Sequence, residues 1–348
     1  MGYQRLASRR AARLALTSLA CASVALLAAC SSSSSGSGGS PSSGGANSAG
    51  SGKITIAFNM GAEADPFFIS MNLGAKAAAT KYGVNLIWQG DPSVYSPSTQ
   101  IPIVDQLLAQ HPSALIIAPT DPTALQPAVN QAIAAGIPVV NVDTHVNDLS
   151  KVLAFITGNN QQGGAAAADA MAAAMHYASG KTYQVVVGAS SPTTTTNTAR
   201  LEGFKAEIAA KYPGIQIVSE AYSESQPAVA NTNVNNWLTK YPHLAGIFAI
   251  DGTNAQGAAA ALQAHGLVGK VALVGYDAYS ANVQLLQQHV FTALVAQQPY
   301  QEGYLAVQDV VNYLRSHTKP QHLVTLANIV LTPSSSSADI TKYTYPTA

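Results

Sequence analysis

The sequence predicts a protein of the α/β class, built from two similar lobes in which helices flank a parallel sheet. Its 348 residues are too many for one ordinary domain and suit two. From Lys53 onward, short apolar runs alternate with longer segments of helical periodicity, which is the pattern of βαβ units. The series holds more strands than the roughly five or six of an average sheet, so two sheets are expected.

Residues 1–29 are predicted to be an export signal rather than part of the fold. A basic start is followed by an apolar run that is shorter than the roughly 20 residues of a membrane helix. The run ends in Leu27-Ala28-Ala29-Cys30, which resembles the bacterial lipobox and implies cleavage before Cys30 and lipidation of that cysteine. An ordinary signal peptide with an incidental cysteine is the alternative. With cleavage at this point, Cys30 is the one cysteine of the mature chain, and no intrachain disulfide can form.

Residues 30–52 are predicted to be the lipidated cysteine and a flexible tether. Beyond Cys30 the segment is mostly Ser and Gly, which cannot bury apolar surface. The whole chain has 17 basic and 17 acidic residues, but four arginines lie in the signal. Without them, 17 − 4 = 13 basic residues face 17 acids, a formal charge of −4. This balance argues against nucleic-acid binding, which needs clustered Lys and Arg.

In the first half of the folded part, strands and helices are predicted in alternation. The first strand is rich in Ile and Phe, and the helices that follow the first and third strands stop at Gly83 and Gly136. The helix between them holds Pro102 in its first turn, where proline is tolerated. The elements expected in this half are strands at 54–60, 84–89, 114–119, 137–142 and 151–157 and helices at 66–83, 99–111 and 123–136.

The second half repeats this pattern, beginning with an Ala-rich helix. Because parallel strands need a crossover between them, helices placed between apolar runs predict a second parallel sheet. The elements expected in this half are helices at 163–177, 197–212, 226–240, 254–265, 279–289 and 299–316 and strands at 182–188, 215–222, 246–250, 271–276 and 291–296.

Polar residues stand where several of the predicted strands end. Asn59 ends the first strand, and Asp143, Asp251 and Asp277 each come directly after a later one. In open parallel sheets, ligands bind outside the carboxyl ends of the strands. Two lobes that face each other with these ends would form a ligand-binding cleft.

Several short motifs occur in a fixed order along the folded part of the chain. They are DPFF at 65–68, GA at 74–75, LIIAPTD at 115–121, GIPVV at 136–140, RLEGF at 200–204, VGYD at 274–277 and VAQQP at 295–299. None is specific alone, but in this order the sequence from Lys53 to about Leu331 resembles the type I periplasmic sugar-binding proteins of ABC importers, the ribose-binding-protein-like family. LacI-type repressors share this body, but they carry an N-terminal helix-turn-helix where this chain has a lipobox and a tether.

The resemblance implies how the two lobes divide the chain. Each lobe would be Rossmann-like, and a three-segment hinge would let them close on a ligand. The first lobe is expected to comprise 53–157 plus 298–326 and the second 158–297 plus 327–348, with crossings near 157–159, 296–298 and 325–329.

The resemblance also implies which residues contact the ligand. Carboxylates at strand ends accept paired hydroxyls, and a phenylalanine pair offers a flat wall to a sugar ring. Asp65 has two interpretations, because an Asp before a Pro is also a good helix N-cap. The expected ligand-binding residues are Asn59, Asp65, Phe67, Phe68, Asp143, Thr144, Thr198, Arg200, Tyr222, Asp251, Asp277 and Gln297.

Two positions depart from the ribose binders. Thr144 and Thr198 stand where that family often has arginine, so an arginine-rich pentose pocket is not expected. The loop 191–198 offers hydroxyl and amide groups instead. Arg200 is expected to brace the fold more than to touch the ligand.

The sequence contains no recognisable catalytic constellation. GxSxG, HExxH, Walker and GxGxxG motifs are missing, and the eight histidines share no metal-ligand spacing. We therefore expect no enzymatic activity, no cofactor and no metal.

The expected function is that of an extracytoplasmic solute-binding lipoprotein, anchored by its lipid to the bacterial cell membrane. It would act as a monomer, capture a small neutral sugar or polyol in the cleft and deliver it to an ABC import permease. The alternative is a sugar- or autoinducer-sensing partner of a membrane receptor or kinase. Both interpretations fit the sequence.

Overall fold

Residues 53–348 are the part of the chain that the computed structural model describes, and strands and helices alternate along them. The strands are β1 (Thr55–Ala62), β2 (Asn85–Asp91), β3 (Ala114–Ile117), β4 (Val139–Val142), β5 (Ala154–Gly158), β6 (Tyr183–Ala189), β7 (Ile215–Tyr222), β8 (Leu244–Ala249), β9 (Ala272–Tyr276), β10 (Ala293–Ala296), β11 (Leu323–Leu326) and β12 (Ile329–Leu331). The helices are α1 (Pro66–Tyr82), α2 (Pro97–Leu108), α3 (Gln126–Ala134), α4 (Asn160–Ala174), α5 (Thr195–Lys211), α6 (Pro227–Lys240), α7 (Gly252–Ala264), α8 (Ser280–Gln287), α9 (Pro299–Ser316) and α10 (Ser337–Tyr343). Within these residues, no helix is both long and apolar enough to span a membrane. The predicted signal, Cys30 and the tether lie outside the described residues.

The strands form two six-stranded sheets of matching topology, which we call the sheets of the first and second lobes. Their orders are β2-β1-β3-β4-β5-β11 and β7-β6-β8-β9-β10-β12. Neighbouring strands run parallel throughout, except that β12 is antiparallel to β10. The central strands of each sheet are buried along their length, which explains their continuous apolar runs. The predicted fold class is confirmed.

In each lobe, two helices on one face of the sheet meet in a close glycine contact. Where α1 packs on α9, a Cβ on Gly74 would lie only 1.9 Å from the Tyr300 carbonyl oxygen. Where α4 packs on α5, a Cβ on Gly203 would lie 2.0 Å from the Gln161 carbonyl oxygen. Because no other residue lacks a Cβ, these helices can approach so closely only at glycine. The glycine of the RLEGF motif therefore serves helix packing.

The chain passes between the two sheets three times: after β5, after β10, and between β11 and β12. The three crossings lie side by side. A Cβ on Gly158 would lie 2.9 Å from the amide oxygen of Asn328 and 3.0 Å from that of Gln297. Asn328 Nδ2 also donates to the Asn159 carbonyl oxygen at 2.9 Å. Side chains from all three crossings thus meet at one place.

One helix begins earlier than predicted. The Ser96 side chain accepts a hydrogen bond from the Ser98 amide, and Pro97 takes the first helical position, where proline fits well. The prediction that Pro102 lies in the first turn is wrong, because it lies inside α2.

Three C-terminal elements, β11, β12 and α10, are missing from the sequence prediction. The two strands have only four and three residues, and Leu323 at the start of β11 is 48% exposed. Such short and partly exposed runs show no clear periodicity. Their effect on the fold is large, since β12 and α10 bring the tail of the chain back to the second lobe.

Candidate ligand-binding site

A cavity of about 370 Å³ lies between the carboxyl ends of the two sheets. Eight of the twelve predicted ligand-binding residues lie on its wall. The lining consists of Asp65, Phe67, Phe68, Tyr95 and Asp143 from the first lobe, Ser190, Thr194, Thr196, Asn197, Arg200, Ser225, Asp251, Asp277 and Tyr279 from the second, and Gln297 at a crossing.

Asp143 and Asp277 occupy equivalent positions in the two lobes. Asp143 follows β4 and Asp277 follows β9, which is the same strand of each sheet. Both have a left-handed backbone, with φ of 60° and 70°. Each amide donates to the next strand at 2.8 Å, to the carbonyl oxygen of Ile156 or Val295. Asp tolerates this backbone region better than most residues, so each strand can end in a sharp turn that carries a carboxyl group.

Three donors hold the Asp277 carboxylate. Its Oδ2 accepts from the Gly252 amide at 2.8 Å. Its Oδ1 accepts from Gln297 Nε2 at 2.7 Å and from the Tyr345 hydroxyl at 2.9 Å. Burial raises the pKa of Asp277, while the charge of Arg200 and the two bonds to Oδ1 oppose the rise. The orientation of this carboxylate is therefore fixed before any ligand arrives.

The Asp143 carboxyl is buried but has open acceptor positions. Only 6% of the residue is exposed, and within residues 53–348 no group donates a hydrogen bond to its carboxyl oxygens. Burial raises the pKa of Asp143 to about 7; Arg200 opposes the rise, and Asp277 and Asp65 add to it. Hydroxyl groups of a ligand would supply the donors that the protein does not.

Asp65 has both of the roles that the sequence left open. It caps α1 by accepting a hydrogen bond from the Phe67 amide at 2.9 Å, and it also lines the cavity. The same oxygen, Oδ1, accepts a hydrogen bond from the Tyr279 hydroxyl of the second lobe. Burial raises the pKa of Asp65 to about 7 against the effect of these two bonds.

Asp251 combines capping with exposure to the cavity in the same way. As the N-cap of α7 it accepts from the Asn254 amide at 2.9 Å and from the Thr253 hydroxyl at 2.8 Å. It also lines the cavity.

Within residues 53–348, no three or more His, Cys, Asp or Glu side chains are grouped so as to hold a metal ion.

Arg200 supplies the one guanidinium of the lining and braces the second lobe. Its Nε donates to Asn160 Oδ1 at 2.8 Å and its Nη1 donates to the Ile250 carbonyl oxygen at 3.0 Å. The guanidinium lies 3.9 Å from the centre of the Tyr276 ring. Burial acts against its charge, but Tyr276 and the nearby Asp277 and Asp143 raise the pKa of Arg200, so the group stays charged.

Aromatic rings form the apolar wall of the cavity. The rings of Phe67 and Phe68 meet edge to face with their centroids 5.3 Å apart. Tyr95 stacks against Phe68 at 6.4 Å. The C–H face of a small ring would lie against this wall while carboxylates opposite take its hydroxyls.

Hydrogen bonds join the two lobes across the cleft. Besides the bond between Tyr279 and Asp65, the Thr194 hydroxyl donates to the Thr120 carbonyl oxygen at 3.3 Å. The His145 amide donates to Thr195 Oγ1 at 3.3 Å. The cleft is therefore closed in this structure.

Two of the predicted residues, Asn59 and Thr144, are buried away from the cavity. Asn59 lies in β1 with its side chain toward α2, where its Oδ1 accepts from Gln100 Nε2 at 2.8 Å and its Nδ2 donates to the Gln89 carbonyl oxygen at 3.0 Å. Thr144 is fully buried behind Asp143. Neither side chain is on the cavity wall.

Thr198 and Tyr222 also lie off the cavity wall. The Thr198 hydroxyl donates to the Thr195 carbonyl oxygen at 3.0 Å within its own helix. Tyr222 ends β7, which is an edge strand, and is 41% exposed. Tyr222 is therefore not among the lining residues of the second lobe, although Ser225, three residues further along the chain, is one of them.

The sequence interpretation missed seven lining residues. Thr194, Thr196 and Asn197 belong to the predicted loop 191–198, from which the sequence analysis had chosen only Thr198; Thr196 and Asn197 lie in the first turn of α5. Tyr95 and Tyr279 follow the ends of β2 and β9, and a search of residues a few positions beyond each strand could have found them. The seven are Tyr95, Ser190, Thr194, Thr196, Asn197, Ser225 and Tyr279.

Comparison with known proteins agrees with this geometry. Residues 56–318 match the family model described as "Periplasmic binding protein domain". The chain belongs to this family. The predicted resemblance to its type I sugar-binding members is confirmed, and the protein is a binding protein rather than an enzyme.

Curated relatives and solved structures fill in the family. This periplasmic binding protein is 30% identical over 276 residues to the D-ribose/D-allose-binding protein of Pseudomonas aeruginosa, covering 78% of this chain and 85% of the relative. It is 28% identical to the ribose import binding protein of Bacillus subtilis, covering 76% and 82%. An ABC transporter solute-binding protein from Agrobacterium vitis, solved with α-D-tagatopyranose, superimposes with a TM-score of 0.79 at 30% identity, covering 84% of this chain and all of that one.

Proposed function

We propose that this periplasmic binding protein captures a small neutral sugar or polyol in the cavity between its lobes and delivers it, as a monomer, to an ABC import permease. The observation that carries the proposal is the lining of the cavity. It combines carboxylates at strand ends, hydroxyl and amide side chains, and an aromatic wall, drawn from both lobes. A ligand with several hydroxyls and one apolar face is the partner that uses all three.

The charge of the lining favours a neutral ligand. Four carboxyl groups, those of Asp65, Asp143, Asp251 and Asp277, share the cavity with the single guanidinium of Arg200. An anionic ligand would meet a net negative wall in a setting of low dielectric, where like charges repel strongly. A sugar phosphate should therefore bind more weakly than its parent sugar.

The relatives support the same class of ligand. The Pseudomonas protein is a ribose and allose binder by name. The Agrobacterium vitis structure holds α-D-tagatopyranose, and a second solute-binding protein, from Agrobacterium radiobacter, was solved with D-arabinose at 26% identity and a TM-score of 0.79. The first probes are therefore D-ribose, D-allose, D-tagatose and D-arabinose.

We expect Asp143→Ala to weaken sugar binding by about tenfold or more. A hydrogen bond to a charged group contributes about 1.5–3 kcal/mol, and Asp143 has its acceptor positions free for the ligand. The measurement is calorimetric titration of the wild type and the variant with the four sugars. Asp148→Ala is the matched control, because Asp148 is exposed in the loop that follows β4.

The proposal fails if the wild type binds none of the four sugars or a wider panel of neutral polyols, or if Asp143→Ala binds as tightly as Asp148→Ala. Tighter binding of ribose 5-phosphate than of ribose would contradict the neutral-ligand assignment.

Closure of the two lobes is followed by small-angle scattering in the same titration. Since a ligand that touches both lobes binds the closed form better, the radius of gyration should fall on saturation.

Attachment to the membrane through a lipid on Cys30 completes the proposal. Its support is the Leu27-Ala28-Ala29-Cys30 motif and the Ser/Gly-rich segment that follows. We expect Cys30→Ala to move the protein from the membrane fraction to the soluble fraction of the producing bacterium. Cys21→Ala is the control, because Cys21 lies within the predicted signal. If Cys30→Ala fractionates as the wild type does, the lipid anchor is refuted.

A further inference from the structure

The last five residues of the chain lie beyond every regular element, yet one of them is buried at the floor of the cleft. After α10 the chain continues extended, and the Tyr345 amide donates to the Ala278 carbonyl oxygen at 2.9 Å. Tyr345 is only 2% exposed, whereas the three residues that follow it are exposed. This segment also lies outside residues 56–318, the stretch that matches the family model.

The Tyr345 ring contacts both lobes. Its centroid lies 6.1 Å from that of Phe67 in the first lobe and 5.9 Å from that of Tyr279 in the second, both in tilted, edge-type geometry. Phe67 and Tyr279 are both on the cavity wall. The tail therefore closes the cleft from behind and lies against the ligand-binding wall of each lobe.

The Tyr345 hydroxyl forms hydrogen bonds with Asp277, on the cavity wall, and with Gln297, at the second crossing. It donates to Asp277 Oδ1 at 2.9 Å and accepts from the backbone amide of Gln297 at 2.8 Å. Gln297 in turn donates through Nε2 to the same Asp277 oxygen at 2.7 Å. One phenol thus satisfies a backbone donor of the second crossing and one acceptor position of a cavity carboxylate.

We propose that Tyr345 is a positioning residue for the ligand site: through its hydroxyl the C-terminal tail fixes the Asp277 carboxylate and the backbone of Gln297 in the geometry that binds ligand. This inference rests on the proposed function for its effect on binding. Its effect on the Gln297 amide is independent of any ligand.

The test compares Tyr345→Phe with the wild type and with Tyr343→Phe, a matched control at the half-buried end of α10. Tyr345→Phe keeps the ring and removes the hydroxyl. We expect the backbone amide hydrogen of Gln297, left without its acceptor, to exchange with solvent at least tenfold faster in the ligand-free protein. We expect affinity for the sugar that the wild type binds best among D-ribose, D-allose, D-tagatose and D-arabinose to fall by about tenfold.

The pH profile of binding separates positioning from a loss of packing. The Tyr345 hydroxyl favours ionised Asp277, so without it the pKa of Asp277 rises further. Binding to the variant should therefore be lost at a higher pH than in the wild type as the solution is acidified. Asp65 and Asp143 titrate in both proteins, so the difference between the profiles reports Asp277. The titratable groups around Asp277 are Asp65, Asp143, Arg200, Asp251, Tyr276, Tyr279, Glu302 and Tyr345.

A chain that ends at Thr344 is the second variant. It also removes the Tyr345 ring and its backbone bond to Ala278, so its loss of affinity should exceed that of Tyr345→Phe. Unchanged Gln297 exchange, affinity and pH profile in Tyr345→Phe would overturn the inference. If the wild type binds no sugar, the proposed function fails, while faster exchange of the Gln297 amide still supports the positioning role.

Discussion

Asp277→Ala is expected to remove detectable sugar binding and to destabilise the protein even without ligand. The substitution leaves three buried donors without an acceptor: the Gly252 amide, Gln297 Nε2 and the Tyr345 hydroxyl. An unsatisfied buried polar group costs about 1–3 kcal/mol. Relief of repulsion among the buried carboxyls offsets part of that cost, so we expect the free energy of unfolding to fall by about 2–4 kcal/mol.

The contrast with Asp143→Ala makes this prediction specific. The two residues are equivalent in the two lobes, but the Asp143 carboxyl group accepts no hydrogen bond within residues 53–348. Both alanine variants should lose affinity, and only Asp277→Ala should lose stability. Urea denaturation of the ligand-free proteins measures the difference. If the two variants unfold at the same urea concentration, the three hydrogen bonds to the Asp277 carboxylate do not contribute to stability as described.

Asp277→Asn tests which property of the side chain matters. It keeps the size of the group and one acceptor oxygen, but it replaces the other oxygen with a donor. Gly252 on one side and the pair of Gln297 and Tyr345 on the other then compete for one acceptor. We expect stability between those of the wild type and Asp277→Ala, with affinity close to that of Asp277→Ala.

The fold could be predicted from the sequence because each lobe is built from strongly periodic parts. Apolar runs buried in the centre of a parallel sheet and helices that end at Gly83 or Gly136 give signals that tertiary contacts do not reverse. The same signals fade in β11 and β12, whose few residues are held by pairing with β5 and β10 rather than by their own pattern. The C-terminal helix α10 and the segment after it were not predicted for the same reason.

The site could be predicted in part, because strand ends are fixed by the sheet while loops are not. Asp277 directly follows β9 and Asp251 lies two residues beyond the neighbouring β8, so the topology of the second sheet brings these two together, while Asp143 has the equivalent place after β4 in the first sheet. Tyr279 is two residues beyond Asp277, and its place depends on how the second lobe meets Asp65. Tyr345 depends on the path of the whole C-terminal segment, which no local pattern encodes.

Asn59 shows the limit of reasoning from position in a strand. It lies inside β1 rather than at the end of the strand, and the alternation of side chains turns it toward α2, where Gln100 satisfies it. Phe58 and Met60 on either side of it face the opposite helix layer, in one apolar cluster with Phe67 and Phe68. The sequence alone does not specify which way the Asn59 side chain turns.

Glu302 is a buried acid outside the cavity wall, and its burial carries a cost in stability. It lies on α9 with no exposed surface, and neither of its carboxyl oxygens has a hydrogen-bond partner within residues 53–348. Burial raises the pKa of Glu302 far above its usual range, and the nearby Asp143 adds to the rise. Burial therefore favours the protonated form of Glu302 in the folded protein, whereas the same carboxyl group in the unfolded chain loses its proton above about pH 4.3.

Glu302→Gln should therefore stabilise the protein, and the gain should grow with pH. A carboxyl group with a raised folded pKa contributes most to stability below its unfolded pKa, and that contribution is lost as the pH rises toward the folded pKa. Glutamine has nearly the same shape and does not titrate. As the pH rises from 5 toward the folded pKa of Glu302, we expect the difference in unfolding free energy between Glu302→Gln and the wild type to increase, at a limiting rate of about 1.4 kcal/mol per pH unit.

The measurement is urea denaturation of the ligand-free proteins at several pH values, with Glu202→Gln as the control. Glu202 is exposed on α5, so its substitution should leave the pH dependence as it is in the wild type. A difference between Glu302→Gln and the wild type that stays constant from pH 5 to pH 8 would show that Glu302 is ionised in the folded protein. A partner would then have to balance its charge, and α9 could not lie against α1 and the first sheet with that carboxyl sealed between them.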